Sequence, residues 1–398
     1  MKLGFYYHIS LRKTTSGMFL PGYLAVFVDA LAREVEHLKL FLHEDSSLSH
    51  MGTDTCLQEK NISWVNLGTK TAAWHRSLFY KKILAPHIGE FEQVDLLIVR
   101  SPSPLAPYFK NIISNSKICY LLVGDYHDGA MNMRINSLRD KIVQRYIIWN
   151  QTQLVKALRN SFVIVNSRSL LEKYIAIASN IFEVGTTTLR EDDFFNRADT
   201  CRVDVIKLAY IGRLDLQKGL VELLQAFAEL IYHHNYPLEL HFTGWEPLSS
   251  RPVESKLRQM AAHLKVKDKI FFHGRKKVGE ELNEMYRQAD LYIIPSYHEG
   301  FPRTIWEAMA NSCPVIATRV GSIPYYLEHE KHALLIEARS ADEIVIAVKR
   351  LIEEAELRQE LIRNGYQLAS GNTLEAQTKK LVLCLQNFLY SLQVEAGS

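Results

Sequence analysis

The chain has 398 residues, enough for two domains of ordinary size and too many for one small core. Hydrophobic residues at 47% and charged residues at 23% are the balance of a soluble globular protein, and a net charge of +3 is too weak to argue for a nucleic-acid partner. Five cysteines (Cys56, Cys119, Cys201, Cys313, Cys384), odd in number and without CxxC spacing, argue against a disulfide framework and a structural zinc site.

The opening MKLGFYYHISLRK has no signal-peptide core, and no apolar run reaches membrane-spanning length, so a cytoplasmic protein is expected. Lys2 to Tyr7 reads as a first strand, followed by a loop, HISLRKTTSGMFLPG. A helix follows from about Tyr23 to Glu36, with Leu24, Phe27, Val28 and Leu31 on one face. A strand, a glycine-containing loop and a helix are how a nucleotide-binding α/β half begins. Gly17 is the expected point of close backbone approach to an anion, and a plain turn is the alternative.

Lys39 to Leu42, Asp95 to Val99, Lys117 to Val123 and Ser161 to Val165 read as further strands. Arg100 and His127 fall just past two of them, at the edge where open α/β sheets bind ligands. Between 132 and 160 a long helix or helical pair carries Arg134, Arg139, Lys141, Arg145, Lys156 and Arg159 against Asp140 alone. Ile135, Leu138, Ile142 and Tyr146 share its apolar stripe. A stripe packed on the core with a solvated charged face is the favoured reading, and contact with an anionic membrane surface is the alternative. The linker between domains is expected between Arg190 and Asp204.

The second half restarts the rhythm. Lys207 to Ile211 is a strand, then Gly212-Arg213-Leu214-Asp215-Leu216-Gln217-Lys218-Gly219, then a helix from Leu220 to Tyr232. Glu239 to Phe242, Ile270 to Phe272 and Leu291 to Ile294 continue the sheet, with Gly244 and Gly274 each following a strand. Pro302 suits a first helical turn, and Trp306, Met309 and Ala310 recur at helical spacing before Pro314 and the run Val315 to Ala317. Glu299 and Glu307 bracket that turn. If the intervening chain is mostly helical they stand roughly 12 Å apart along the axis, a separation that suits a nucleotide sugar. The helix amino terminus between them is a seat for phosphate. Arg213 offers planar bidentate donors and Lys218 a point charge, a pair able to neutralise a departing phosphate without a proton. Helices at 340–354 and 355–368 and a last amphipathic helix at 375–392 close the chain.

Gly-Arg-Leu-x-x-x-Lys-Gly at 212–219 and Glu-Gly-Phe-Pro-x-x-x-x-Glu-Ala-Met-Ala at 299–310, with Pro314-Val315-Ile316-Ala317, resemble the signature of glycosyltransferase family 4, retaining enzymes of the GT-B fold. The resemblance implies two Rossmann-like α/β domains facing across a cleft. Residues 1–195 would bind the acceptor and 196–374 the nucleotide sugar, with the helix from 375 returning to the first domain. It places Glu299 on the donor sugar, Glu307 on the ribose hydroxyls, and Arg213 and Lys218 on the diphosphate. Gly274 would lie at the base pocket, and Gly17, Gly212, Gly300, Phe301 and Pro302 complete the donor set. A histidine near sugar and acceptor falls on His127; His8 and Arg100 are further acceptor candidates.

The implied reaction is hexosyl transfer with retention, from a nucleoside-diphosphate sugar to a saccharide, lipid-linked or small-molecule acceptor. No metal or other cofactor is expected, because Arg213, Lys218 and the helix near Phe301 supply positive charge and no Asp-x-Asp triplet is present. The chain departs from the family at Ser16-Gly17, at Gly185-Thr186-Thr187-Thr188, and at Ser312, Ser322 and Ala333, where glycines are usual. A P-loop motif is absent, and no G-x-G-x-x-G follows the first strand. The rival readings are a non-catalytic nucleotide-sugar-binding relative or scaffold, and an epimerase or phosphorylase on the same fold.

Overall fold

The structure, a computed structural model, describes residues 1–45, 53–114, 117–125, 127, 130, 135, 137–178, 180–246 and 252–397. It divides into two compact units, Met1–Thr186 with Glu375–Ser398, and Thr187–Leu374.

The first unit holds a nine-stranded sheet: β1 (Lys2–Thr14), β2 (Gly17–Leu20), β3 (His37–Glu44), β4 (Thr55–Cys56), β5 (Ile62–Thr69), β6 (Leu96–Ser101), β7 (Ile118–Leu122), β8 (Phe162–Val165) and β9 (Asn180–Glu183). Strands β5, β3, β1, β6, β7, β8 and β9 lie side by side and parallel. Every residue of β6 and β7 is buried, as expected where both faces of a parallel sheet are covered.

Three expectations for this unit are corrected. The stretch after Tyr7 is not a loop. Strand β1 runs on to Thr14, with a register shift between Tyr6 and Ser10, and turns back into β2 with Thr14 opposite Gly17. The Arg12 guanidinium lies 4.3 Å over the Phe19 ring, a cross-strand contact that favours the hairpin. The helix Gly22–Arg33 follows Pro21, whose carbonyl accepts from Leu24 and Ala25.

The second correction concerns the basic helix, which spans Leu138–Leu158 behind a Ser137 cap. Residues 132–134 and 136 lie outside the described residues. Its first turns do not pack on the core, because Leu138 is 78% and Ile142 68% exposed. Burial starts at Asn150 and continues through Gln151, Leu154, Ala157 and Leu158. The third correction is β5, which has no counterpart in the sequence reading because its polar positions blur the alternation.

The helix Leu374–Gly397 belongs to this unit. Leu381, Val382 and Leu385 are buried, Phe388 stacks on Phe162 at 4.1 Å, and Gln377 Oε1 accepts from the Gly185 amide at 2.8 Å. Among the described residues no helix is long and apolar enough to cross a membrane.

The second unit holds a six-stranded parallel sheet: β10 (Ile206–Ile211), β11 (Leu238–Thr243), β12 (Ile270–Phe272), β13 (Leu291–Ile294), β14 (Val315–Thr318) and β15 (Leu334–Ile336). Their spatial order is β12-β11-β10-β13-β14-β15, so the chain winds one way from β10 and the other way from β13. Ligands bind open α/β sheets at such a reversal, outside the carboxyl ends of the strands. The unit begins at Thr187, upstream of the expected 195/196 boundary. Leu189 explains the difference: it is buried in one cluster with Ile211, Tyr292, Ile305 and Trp306.

Candidate active site

The loops after β10 and β13 meet at the sheet's reversal. On the β10 side glycines allow close packing. The Gly212 amide donates to the Thr243 carbonyl and the Gly244 amide to the Gly274 carbonyl, each at 2.9 Å. A Cβ on Gly244 would come within 1.7 Å of the Gly212 carbonyl oxygen, so only glycine fits there. These glycines set the ends of β10, β11 and β12 in one row. Asp215 then caps a short turn, Leu216–Lys218, by accepting from the Gln217 amide. Gly219 (φ 67°) turns the chain into the helix Leu220–Tyr232.

The β13 loop is stitched to this one. The Tyr297 amide donates to the Gln217 carbonyl at 2.9 Å, and Tyr297 OH to Glu222 Oε1 at 2.6 Å. Glu299 Oε1 accepts from Lys218 Nζ at 2.5 Å and from Ser296 Oγ at 2.7 Å. Thr318 Oγ1, at the end of β14, holds the Ser296 carbonyl at 2.6 Å. The Gly300 carbonyl accepts from the Ser322 amide at 2.7 Å. Lys218 and Glu299 are thus brought together, half-withdrawn from solvent. The Arg213 side chain, on the same β10 loop, is exposed, and its backbone carbonyl is fixed by Tyr210 OH at 2.7 Å.

The helix spans Arg303–Ala310 with Pro302 as its first cap residue, and no side chain caps its amino terminus. Phe301 stacks on Trp306 at 4.4 Å and meets Tyr326 edge-on at 4.8 Å. Because the helix starts only at Arg303, the premise of a mostly helical path between Glu299 and Glu307 does not hold. Proline at 302 and the carbonyl contact at Gly300 keep the first part extended. Glu307 is 3% exposed; its Oε1 accepts from Thr188 Oγ1 at 2.6 Å and its Oε2 from Tyr286 OH at 2.9 Å.

Sequence reasoning did not find Ser296, Thr188, Tyr286, Tyr210 or Tyr292. The departure at 186–188 was a signal for Thr188; the tyrosines carried none. Burial pushes the Tyr210 and Tyr292 phenols well up, and the nearby Glu299 charge adds to this, so both stay hydrogen-bond donors. Tyr292 OH donates to Thr304 Oγ1 at 2.7 Å. The charges of Glu299 and Glu307 both act on this phenol.

In the first unit, Gly17 (φ 142°) sits at the hairpin start, where a Cβ would meet Cys56 Sγ at 2.7 Å. It lies at a hairpin turn beside the strand Thr55–Cys56 rather than in a loop that opens directly into a helix. His8 and Arg100 do come together: the Arg100 charge acts on the His8 ring, which burial and neighbouring cations lower to about 3. His127 is exposed in its own turn, where its amide donates to Asp125 Oδ1 at 2.6 Å.

Residues 194–368, nearly all of the second unit, match the family model for glycosyl transferases group 1. An uncharacterised glycosyltransferase of Methanocaldococcus jannaschii is 28% identical over 171 residues, 43% of this chain and 42% of that protein. The chain thus spans about two fifths of the length of the curated relatives it matches. Sucrose-phosphate synthase from Thermosynechococcus elongatus superposes over 100% of both chains with a TM-score of 0.73 at 17% identity. Anabaena Alr3699/HepE in complex with UDP superposes over 97% of this chain and 100% of its own with a TM-score of 0.71 at 15% identity. The fold is that of GT-B glycosyltransferases, two Rossmann-like α/β units with a C-terminal helix.

Proposed function

We propose that this chain is a retaining glycosyltransferase of family 4. It transfers a hexose-type sugar from a nucleoside-diphosphate sugar to a hydroxyl of a saccharide, lipid-linked or small-molecule acceptor. The observation that carries the reading is the Lys218–Glu299 pair at the sheet's reversal, 2.5 Å apart, with the exposed guanidinium of Arg213 on the same loop as Lys218. The group 1 match over 194–368 covers all of these residues, and the structural neighbour Alr3699/HepE is described with UDP and with UDP-glucose.

In this reading the diphosphate lies against Arg213, Lys218 and the uncapped helix start at Arg303. These cations stabilise the negative charge that grows as the anomeric C–O bond breaks. The acceptor hydroxyl attacks from the face the phosphate leaves, and its proton passes to a phosphate oxygen, so configuration is kept. Glu299, held by Lys218 and Ser296, receives the sugar hydroxyls. Each oxygen of Glu307 keeps a second lone pair for the ribose beside its bond to Thr188 or Tyr286. The set needs no metal. The helix Leu138–Leu158, with Leu138 and Ile142 bare among Arg139, Lys141 and Arg145, rests on an anionic membrane surface, as a peripheral protein at the inner face would.

The test is a thermal-shift panel of UDP, GDP, ADP, TDP and CMP, with and without magnesium, followed by anomeric analysis of the product. One nucleoside diphosphate raising the midpoint, unaffected by chelator and weakened in Glu307→Gln, supports the reading. No response to any nucleotide would overturn it. Cosedimentation with phosphatidylglycerol vesicles, lost in Leu138→Glu/Ile142→Glu, tests the membrane contact.

A further inference from the structure

Four neighbouring strands of the first unit, in the order β5, β3, β1, β6, each bring a basic side chain to one edge of the sheet. Lys70 follows β5, His43 lies near the end of β3, His8 lies on β1, and Arg100 lies near the end of β6. Arg76 joins them from the short helix Ala73–Leu78, and its charge acts on both histidines. This is the carboxyl edge, where sheets of this kind take ligands.

Lys70 is exposed, but the two arginines and His43 are not solvated surface groups. Arg76 is 4% exposed, Arg100 8% and His43 0%. Arg76 Nε and Nη1, Arg100 Nε, His8 Nδ1, His43 Nε2 and Ser101 Oγ are buried without a hydrogen-bond partner. Among the described residues neither arginine is paired with a carboxylate; Arg100 lies over the Tyr7 and Phe27 rings, at 4.8 and 5.5 Å. Asp45 acts on Lys70, but its Oδ2 already accepts from Thr53 Oγ1 at 3.1 Å. A fold seldom leaves guanidinium donors buried and unpaired, because the desolvation is uncompensated. Burial and the surrounding cations together lower His8 to about 3 and His43 to about 4, so both rings are neutral near pH 7.

We propose that this edge binds a dianionic phosphate monoester, and that the phosphate belongs to the acceptor. Two guanidinium forks match phosphate oxygens bidentately, and Lys70 adds a point charge. Two arginines and a lysine exceed what a single carboxylate would balance. The neutral imidazoles complete the donor set. The site's place in a transfer reaction rests on the reading above; its existence does not.

The test uses the full chain, with methyl phosphate as the probe in calorimetric titrations at fixed ionic strength and acetate as the monoanionic comparison. The background is Arg213→Met/Lys218→Met, which removes the cations assigned to the donor diphosphate. That variant is expected to keep wild-type affinity for methyl phosphate. Adding Arg76→Met or Arg100→Met should weaken it at least tenfold, and acetate should bind at least tenfold more weakly than methyl phosphate. In the unmutated chain, methyl phosphate should move the titration of the two low imidazoles to higher pH by NMR, a readout independent of whether the arginine variants fold. Equal binding of acetate, affinity unchanged by both arginine substitutions, or imidazoles unmoved by the probe would each overturn the proposal. Loss of methyl phosphate binding in Arg213→Met/Lys218→Met alone would do the same. If that variant still transfers sugar while the phosphate site persists, the donor reading fails and the anion site stands.

Discussion

Lys218 Nζ lies 2.5 Å from Glu299 Oε1, which joins the loop after β10 to the loop after β13 through one ion pair at 17% and 12% side-chain exposure. Lys218→Met removes that link and a cation of the proposed phosphate seat, while Ser296 keeps its hold on Glu299. Nucleoside-diphosphate release at saturating donor is expected to fall by about 10²–10³, the range for deleting one transition-state charge stabiliser. Turnover near the unmutated rate would count against Lys218 on the diphosphate.

Two glycines separate crowding from backbone strain. Gly321 (φ 56°) and Gly274 (φ 66°) share the left-handed region. A Cβ at Gly321 would reach within 1.7 Å of the Glu299 carbonyl oxygen, whereas at Gly274 it would meet nothing within 4 Å. Gly274→Ala should therefore cost only the conformational term, about 1–2 kcal/mol. Gly321→Ala should cost clearly more, and it should weaken nucleotide-sugar binding because the Glu299 loop must move. Urea midpoints of the two variants measure the difference; equal losses would mean that the loop yields freely.

Asp199 and Arg358 form a buried bidentate pair in the second unit, with Nε to Oδ1 at 2.6 Å and Nη2 to Oδ2 at 2.9 Å. Burial opposes ionisation of Asp199, and hydrogen bonds from Arg358, Gln359 and Arg202 outweigh it, holding the carboxyl well below its usual range. Arg358→Met leaves that carboxylate buried and is expected to cost about 3–5 kcal/mol at pH 7. A depressed folded pKa gives stability that is present above about pH 4 and lost as the pH falls, so the gap between the two proteins should narrow at pH 3. Denaturant midpoints at both pH values check this.

His8 and His43 predict an acid-sensitive first unit. Both are lowered in the folded chain, to about 3 and about 4, by burial first and then by the cations around them. The unfolded chain takes up two protons that the folded one refuses, so stability is full above about pH 6.5 and falls as the pH drops. Between pH 6.5 and 5 the pair should lose roughly 3 kcal/mol. His8→Asn should halve that slope in urea titrations of the full chain; an unchanged slope would show that His8 titrates normally.

The fold was legible wherever apolar runs were short and fully buried, as in β6, β7, β13 and β14, and wherever glycine or proline marked a turn. The donor-side set Arg213, Lys218 and Glu299 was legible because spacing along the chain survives folding. Partners from distant segments were not. Thr188 reaches Glu307 across 119 positions; the unusual threonine run at 186–188 marks the stretch, but nothing local names its partner. The hairpin at β1–β2 was missed because its polar Thr-Thr-Ser-Gly tip reads as loop, while its pairing depends on Arg12 meeting Phe19. The basic helix misled for another reason: a helical stripe predicts a buried face only if something lies against it, and Leu138 and Ile142 have no such neighbour among the described residues.

Phe388 lies flat on Phe162, 4.1 Å away and 3° from parallel, so the unit that starts the chain is completed by its last helix. On the ribosome this reverses the order of completion. The Thr187–Leu374 unit has all its residues in hand while the earlier one still waits for the Phe388 helix. At about 5–20 residues per second, the roughly 200 residues between Phe162 and Phe388 take on the order of ten seconds or more to emerge. During that interval the apolar surface around Phe162 stands open to chaperones, so the step most exposed to aggregation comes after the Thr187–Leu374 unit is made, in the unit that was begun first.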